Sequence, residues 1–232
     1  AMLIWQTEIG IESQRRFCKF FVGLSHSRFN RRARMLLPLM RCIRQAWNQE
    51  VKTAGEFLII DSFPVPVCQP IRNYRVKIFR GIADIGYKAT KKIYYYGFKV
   101  HALVSDDGYL LDYAVTKASV HDAKETTELM INAHPINHYL LGDEGYLGKD
   151  LATELKGMGY VLWTPYRKNM KGAKKHNDHQ LMAIRRTIES DFSLLSYYNA
   201  ENNRARSLAG FQQRLEIAIL AYNMAYCLER FN

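Results

Sequence analysis

Three acidic residues stand where a carboxylate is costly. Asp61 follows the apolar run Leu58-Ile59-Ile60, Asp143 follows Tyr139-Leu140-Leu141 and a glycine, and Glu189 sits beside Ile188 in a helical stretch. Two carboxylates about 4 Å apart, at an effective dielectric of about 20, repel by roughly 4 kcal/mol, and a bound divalent cation reverses that sign. Carboxylate-only sites suit Mg²⁺ or Mn²⁺, which keep waters and take up phosphate oxygens. Two such ions about 3.5–4 Å apart stabilise both the attacking and the leaving oxygen of an in-line phosphoryl displacement. If the three acids meet in space, the chemistry they point to is metal-dependent phosphoryl transfer.

Each acid has a bland alternative. Asp61, ahead of Ser62 and Pro64, can simply end a strand in an Asx-type turn. Glu144 competes with Asp143, although one residue further along a strand it points to the opposite face. Asp191 and Glu201 compete with Glu189. Asp191, some 200° round a helix from Glu189, is expected to face solvent, and Glu201 to lie in a polar loop. Arg185, one turn before Glu189, is placed to pair with it or with a phosphate.

Elements able to position these groups are legible in the apolar rhythm. "EFLIIDSFPVPV" reads as a buried strand ending near Asp61, and "IYYYGFKVHALVSDDGYLLDYAVTKA" as a hairpin turning at Asp106-Asp107-Gly108. "SVHDAKETTELMINA" reads as a helix capped near Ser119, "HYLLGDEGY" as a strand, "GKDLATELKGMG" as a helix and "YVLWTPY" as a short strand. Two helices close the chain, the second apolar enough to be mostly buried. The predicted order describes a mixed α/β sheet covered by helices. His101 on the hairpin reads as a satisfied core histidine. His121-Asp122 reads as a helix opening, and Tyr94–Tyr96 as packing on both sheet faces.

The first fifty-two residues read as a basic helical segment. From Ser13 to Gln49 there are nine Lys and Arg and no acid. Ser27 is the expected helix cap, and Pro38 must kink or interrupt the helix. The formal charge of +11 favours a polyanionic partner, nucleic acid ahead of a membrane. Arg31 and Arg32 in this segment are candidate DNA contacts. So are Lys168, Lys171, Lys174 and Lys175, which with Arg167 form an acid-free basic loop expected to be solvated, together with the His176/His179 pair. Four scattered cysteines without C-x-x-C spacing fit a reducing compartment, and no apolar stretch is long enough to span a bilayer. With no secretory signal visible, a cytoplasmic location is expected.

Taken together, "LIIDSFPV", "KKIYYYGFKVHALVSDDG", "TKASVHDAKE", "LLGDEGYLG" and the Glu of "RRTIES" resemble the DDE transposases of bacterial insertion sequences over roughly residues 55–228. The resemblance implies an RNase H-like catalytic domain over residues 53–232. It implies catalytic, metal-holding roles for Asp61, Asp143 and Glu189, with the G-D-x-G-Y pattern favouring Asp143 over Glu144. Arg185 matches the arginine of the family's Tyr-Arg-Glu-Lys signature, whose Tyr and Lys would fall at Met182 and Ser196, so that signature is half present. The same likeness implies a DNA transposase using Mg²⁺ or Mn²⁺, two ions in all. Such an enzyme would hydrolyse double-stranded DNA at element ends and transfer the 3′-hydroxyl into target DNA, as a homo-oligomer on DNA. Residues 1–52 leave little room for the family's helix-turn-helix region and are expected to be a shortened DNA-binding segment. The rivals are an RNase H-like nuclease or resolvase without strand transfer, and a catalytically impaired DNA-binding remnant.

Overall fold

The computed structural model describes residues 1–50, 55–88 and 92–231; the expected boundary at residues 52–53 lies outside them. Six strands form one mixed sheet: β1 (Phe57–Cys68), β2 (Asp84–Lys88), β3 (Ile93–Ser105), β4 (Leu110–Lys117), β5 (Tyr139–Leu141) and β6 (Val161–Trp163). β3 lies antiparallel to β1 on one flank, and on the other to β2 along residues 93–97 and β4 along residues 98–104. β5 runs parallel to β1, and β6 parallel to β5. The path β4-β3-β1-β5-β6 is that of the RNase H-like fold the sequence resembles.

Alternation along β1 sorts the layers. Ile59, Phe63 and Val65 pack with Ile188 and Leu195 of α8 (His179–Tyr197) and with Phe211, Leu215 and Ile219 of α9 (Leu208–Phe231). Leu58 and Ile60 face the other way, onto Leu129 and Met130 of α5 (Thr126–Ala133) and Leu155 of α6 (Lys149–Gly157). The sheet is therefore covered on both faces, with a period of two deciding which helix each residue meets.

The N-terminal segment folds into α1 (Met2–Glu8), α2 (Gln14–Phe21), α3 (His26–Met35) and α4 (Leu37–Glu50). Leu3, Phe17, Phe29, Ala33, Leu37 and Met40 pack against Ile217 and Leu220 on the side of α9 turned away from the sheet. Arg44 of α4 reaches further in. Its guanidinium lies 2.8 Å from the half-buried Asp112 on β4 and 2.9 Å from the fully buried Glu216 on α9.

Several expectations need correction. β1 does not stop near Asp61 but continues through Pro64 and Pro66 to Cys68. The prolines share parity, so both turn their missing N–H to the same flank, and among the described residues no strand pairs with the flank away from β3 beyond Ile59. β2, which the sequence does not announce, pairs as a short edge of only five residues. Ser25, not Ser27, caps α3, accepting from the Arg28 N–H at 3.4 Å, and Pro38 falls in the first turn of α4, where it costs little. The helix expected from Ser119 starts later. Ser119 bonds Asp84, residues 122–125 form a single 3₁₀ turn, and α5 begins at Thr126.

Gly97 on β3 is required by a close approach. A Cβ there would lie 2.3 Å from the Val65 carbonyl oxygen and 2.9 Å from the Val67 nitrogen of β1. Backbone cannot swing aside as a side chain can. Gly97→Ala is expected to cost about 1–3 kcal/mol, as overpacking does; a melting temperature equal to that of the parent chain would refute the close fit.

Candidate active site

Register brings two of the acids to one place. The parallel ladder between β1 and β5 ends with Ile59 opposite Leu141, and Asp61 and Asp143 each lie two residues further on. Asp143 keeps an extended backbone, so alternation aims it, like Asp61, toward the α8 side of the sheet. Neighbouring strands run about 4.8 Å apart, the separation at which carboxylates repel. Glu189 is supplied from above by α8, whose cap is Asp178 accepting from Gln180 and Leu181 N–H groups.

A single guanidinium joins all three. Arg185 Nη2 lies 2.6 Å from Asp61 Oδ2 and 3.9 Å from Asp143 Oδ2, and Nη1 lies 3.4 Å from Glu189 Oε1. Burial decreases outward. The side chains of Asp61, Asp143 and Glu189 are 17%, 42% and 68% exposed. Burial pushes the Asp61 carboxyl up to about 7; Arg185 pulls it down and Asp143 pushes it higher. The Asp61 carboxylate is thus electrostatically poised, and a second cation beside it would draw its proton affinity down. Among the described residues no three His, Cys, Asp or Glu side chains are gathered closely enough to hold an ion, and Arg185 is the cation between these acids. The donor set nonetheless fits a hard divalent ion. It is all oxygen, and its two outer members are exposed enough to change rotamer.

The opposite face of the sheet supports the site. Ser62 donates to Asp122 Oδ1 at 2.7 Å, and Lys99 reaches the same oxygen at 3.0 Å while donating to the Val120 carbonyl at 2.8 Å. Burial raises the Asp122 carboxyl, but the Ser62 and Lys99 contacts outweigh it and hold the group below its usual range. His101 bonds Thr116 through Nε2 at 2.8 Å, while its buried Nδ1 has no hydrogen-bond partner and lies 4.0 Å from Asp122. The core histidine is only half satisfied, and burial lowers its pKa to about 4, leaving the ring neutral. Tyr146, fully buried, also has an unpartnered hydroxyl; burial raises its pKa, and Asp61, Asp122 and Asp143 add to the effect. Sequence reasoning misses Ser62, Lys99 and Tyr146. The available signal for the first two is parity, since Ser62 and His101 are cross-strand partners and Lys99 lies two residues from His101 on the same face.

The rival acids have other partners. Glu144 is exposed, 4.0 Å from Arg167, and Glu201 lies 3.5 Å from Lys88. Asp191 does not face solvent. It is buried, accepting from Tyr222 at 2.9 Å, because it lies one turn from buried Ile188 and Leu195 and so shares their face. His121 caps the 3₁₀ turn by accepting from the Ala123 N–H.

The basic residues are on the surface. Lys168 and Lys171 are exposed in the loop after β6, and Lys174 and Lys175 are exposed on the short α7 (Ala173–His176). Arg31 and Arg32 are exposed on α3. The stretch holding His176 is not a solvated loop. The ring stacks on Tyr166 at 3.7 Å and donates to the Thr164 carbonyl at 2.9 Å, sheltered between aromatic neighbours; His179 is exposed. Among the described residues no helix is long and apolar enough to cross a membrane.

The family described as "Transposase DDE domain" matches residues 52–224. No curated protein matches the sequence. A cryo-EM structure of the piggyBac transposase synaptic complex with hairpin DNA is similar over 100% of this chain and 66% of its own, with 12% identity and a TM-score of 0.55; the likeness bears on the fold alone. This chain spans about two thirds of that chain's length. The Mos1 transposase paired-end complex, at 10% identity, 97% and 77% coverage and a TM-score of 0.32, is too distant to bear on the fold. With a sheet of RNase H-like order, acids from β1, the end of β5 and α8 on one guanidinium, and a family match over most of its length, the chain belongs to the DDE transposases.

Proposed function

We propose that the chain performs two successive phosphoryl transfers on double-stranded DNA at the acids Asp61, Asp143 and Glu189. In the first, water attacks a phosphorus at an element end, a P–O bond forms, and the P–O3′ bond breaks to free a 3′-hydroxyl. In the second, that 3′-oxygen attacks a target phosphodiester and displaces its 3′-oxygen. The balance is one bond formed for each broken, so no external energy source is needed. Asp61, Asp143 and Glu189 would hold Mg²⁺ or Mn²⁺, as a pair of ions, which when bound supply Lewis-acid stabilisation of the attacking and leaving oxygens.

The chain's own residues do the rest. Asp61, fixed in β1, sets the floor of the site, and the exposed Glu189 closes it from α8. Arg185 balances the acids and offers a guanidinium to a phosphate oxygen as the acids take other partners. Lys168, Lys171, Lys174 and Lys175 track the DNA backbone without reading sequence. Residues 1–52 form a DNA-binding unit beside a catalytic domain of residues 53–232. In it α2 and α3, separated by four residues, present Arg31 and Arg32 outward. The protein works as a homo-oligomer on DNA in the bacterial cytoplasm. The observation that carries the reading is that three elements distant in sequence deliver their acids to one guanidinium.

The experiment is joining of a labelled element end to a second duplex. With Mg²⁺ or Mn²⁺ the label should appear in the longer product, and EDTA should abolish both nicking and joining. Metal-dependent nicking with no joined product would assign the site to a nuclease instead. Metal-independent cutting would remove the ions from the reaction.

A further inference from the structure

A second charged feature lies outside the acids. The α1–α2 loop, α3 and the entry to α9 enclose a groove of about 960 Å³. Arg15, Arg16, Arg34, Arg204, Arg206 and Arg214 line it, against one acid, Glu12. Five net positive charges of the chain's eleven are thereby gathered in one concavity from three separated stretches of sequence. Glu12 is already engaged, 3.1 Å from Arg204 and with its carbonyl accepting from Arg214 at 3.5 Å. Arg15, Arg16, Arg34 and Arg206 are exposed and have no acid within ion-pair distance among the described residues.

Two further observations say what the groove lacks. Gln213 lines it, is 1% exposed, and its Nε2 has no hydrogen-bond partner. Buried amide groups are nearly always satisfied, so this donor awaits an acceptor. The N-termini of α2, eight residues long, and of α9 also border the groove, with Ser13 and Ser207 accepting from the Arg16 and Gly210 N–H groups. Helix N-termini favour negative charge. Burial lowers the Arg214 pKa, Glu12 opposes that, and nearby Arg204 lowers it further, which registers the crowding of like charge.

We propose that this groove is a second DNA-backbone site, holding successive phosphates of one strand while the acids act elsewhere. A polynucleotide fits better than a lone anion, because six guanidiniums spread over about 960 Å³ exceed what one phosphate can neutralise. None of the six arginines belongs to the acid cluster. DNA as the partner rests on the function proposed above, whichever residues cut it.

The test is equilibrium binding of the full chain to a duplex over a salt series, a readout that needs no turnover. Arg34→Ala/Arg206→Ala removes two exposed, unpaired charges at little risk to folding. The slope of log K against log salt should shrink by about 1.8, or 0.9 for each phosphate no longer neutralised, on every duplex sequence tried. Lys149→Ala/Lys156→Ala, exposed on α6 against the other sheet face, is the control and should leave the slope alone. An unchanged slope in the groove variant, or an equal fall in the control, overturns the proposal. A groove variant that binds DNA normally but loses thermal stabilisation by inorganic phosphate would also overturn it, making the groove a small-anion site. Loss of DNA cutting by an acid variant whose salt slope stays normal would leave the groove untouched, so the two readings fail separately.

Discussion

Asp143→Asn should lose cleavage while duplex affinity is undiminished. The substitution is nearly isosteric, and Asn keeps an oxygen to accept from the Gly145 N–H, a bond that in the parent chain spans 2.7 Å and caps the turn. The fold is therefore spared and the quantity removed is charge. A cation that supplies several kcal/mol of transition-state stabilisation, at about 1.4 kcal/mol per tenfold, implies a loss on the order of 10³-fold. Glu144→Gln is the internal control. Its carboxylate is exposed, 4.0 Å from Arg167, and its removal should leave the rate within about twofold, as surface changes do. Cleavage by Asp143→Asn at the parent rate, measured as nicking of a supercoiled plasmid bearing element ends, would remove Asp143 from the site.

The largest stability effect is expected away from the acids. Arg44→Met would strip the cation from Glu216, which is fully buried, and from Asp112, and would leave the Leu111 carbonyl, which Arg44 meets at 2.9 Å, with Asn48 as its remaining side-chain donor. Burial alone would lower the Arg44 pKa, but Glu216 and Asp112 outweigh it and raise it, so the ion pairs overcome desolvation. Removing one member of a buried pair costs about 3–5 kcal/mol because the remaining charge has nowhere to go. For a chain of this size that is about 10 °C in Tm. Arg44→Met combined with Glu216→Leu should recover much of the loss, since paired removal leaves less charge stranded. A single variant melting within about 1 kcal/mol of the parent would show that Glu216 finds other partners, Tyr113 first among them at 2.5 Å.

The acids are legible because a buried strand advertises itself, even though β1 runs on past Asp61. Apolar runs of three or four residues lead straight to Asp61 and Asp143, and helical period puts Glu189 beside buried Ile188. Which side of a helix will be covered is not written as plainly. Measured from Glu189, Asp191 points outward; the informative reference is Ile188, three residues away on the face that α9 covers. Prolines mislead for a related reason. A proline closes a strand only when its missing N–H is needed, and β1 has parted from its β5 neighbour after Ile59. Arg44 and Glu216 stand 172 residues apart, and neither neighbourhood signals the other. The arginine groove is hidden in the same way, because residues 204–214 meet residues 10–34 only once the chain has folded, as the Arg204–Glu12 pair shows.

The flank of β1 with which no strand among the described residues pairs beyond Ile59 has a consequence for how molecules behave in company. An open strand edge of alternating N–H and C=O groups is a template on which a strand of another copy can add, the first step toward aggregation. Pro64 and Pro66 break that row, because neither can donate to an incoming chain. Any copies of the chain held side by side at high local concentration would thus meet without zipping sheet to sheet through the side on which Asp61 and Asp143 lie.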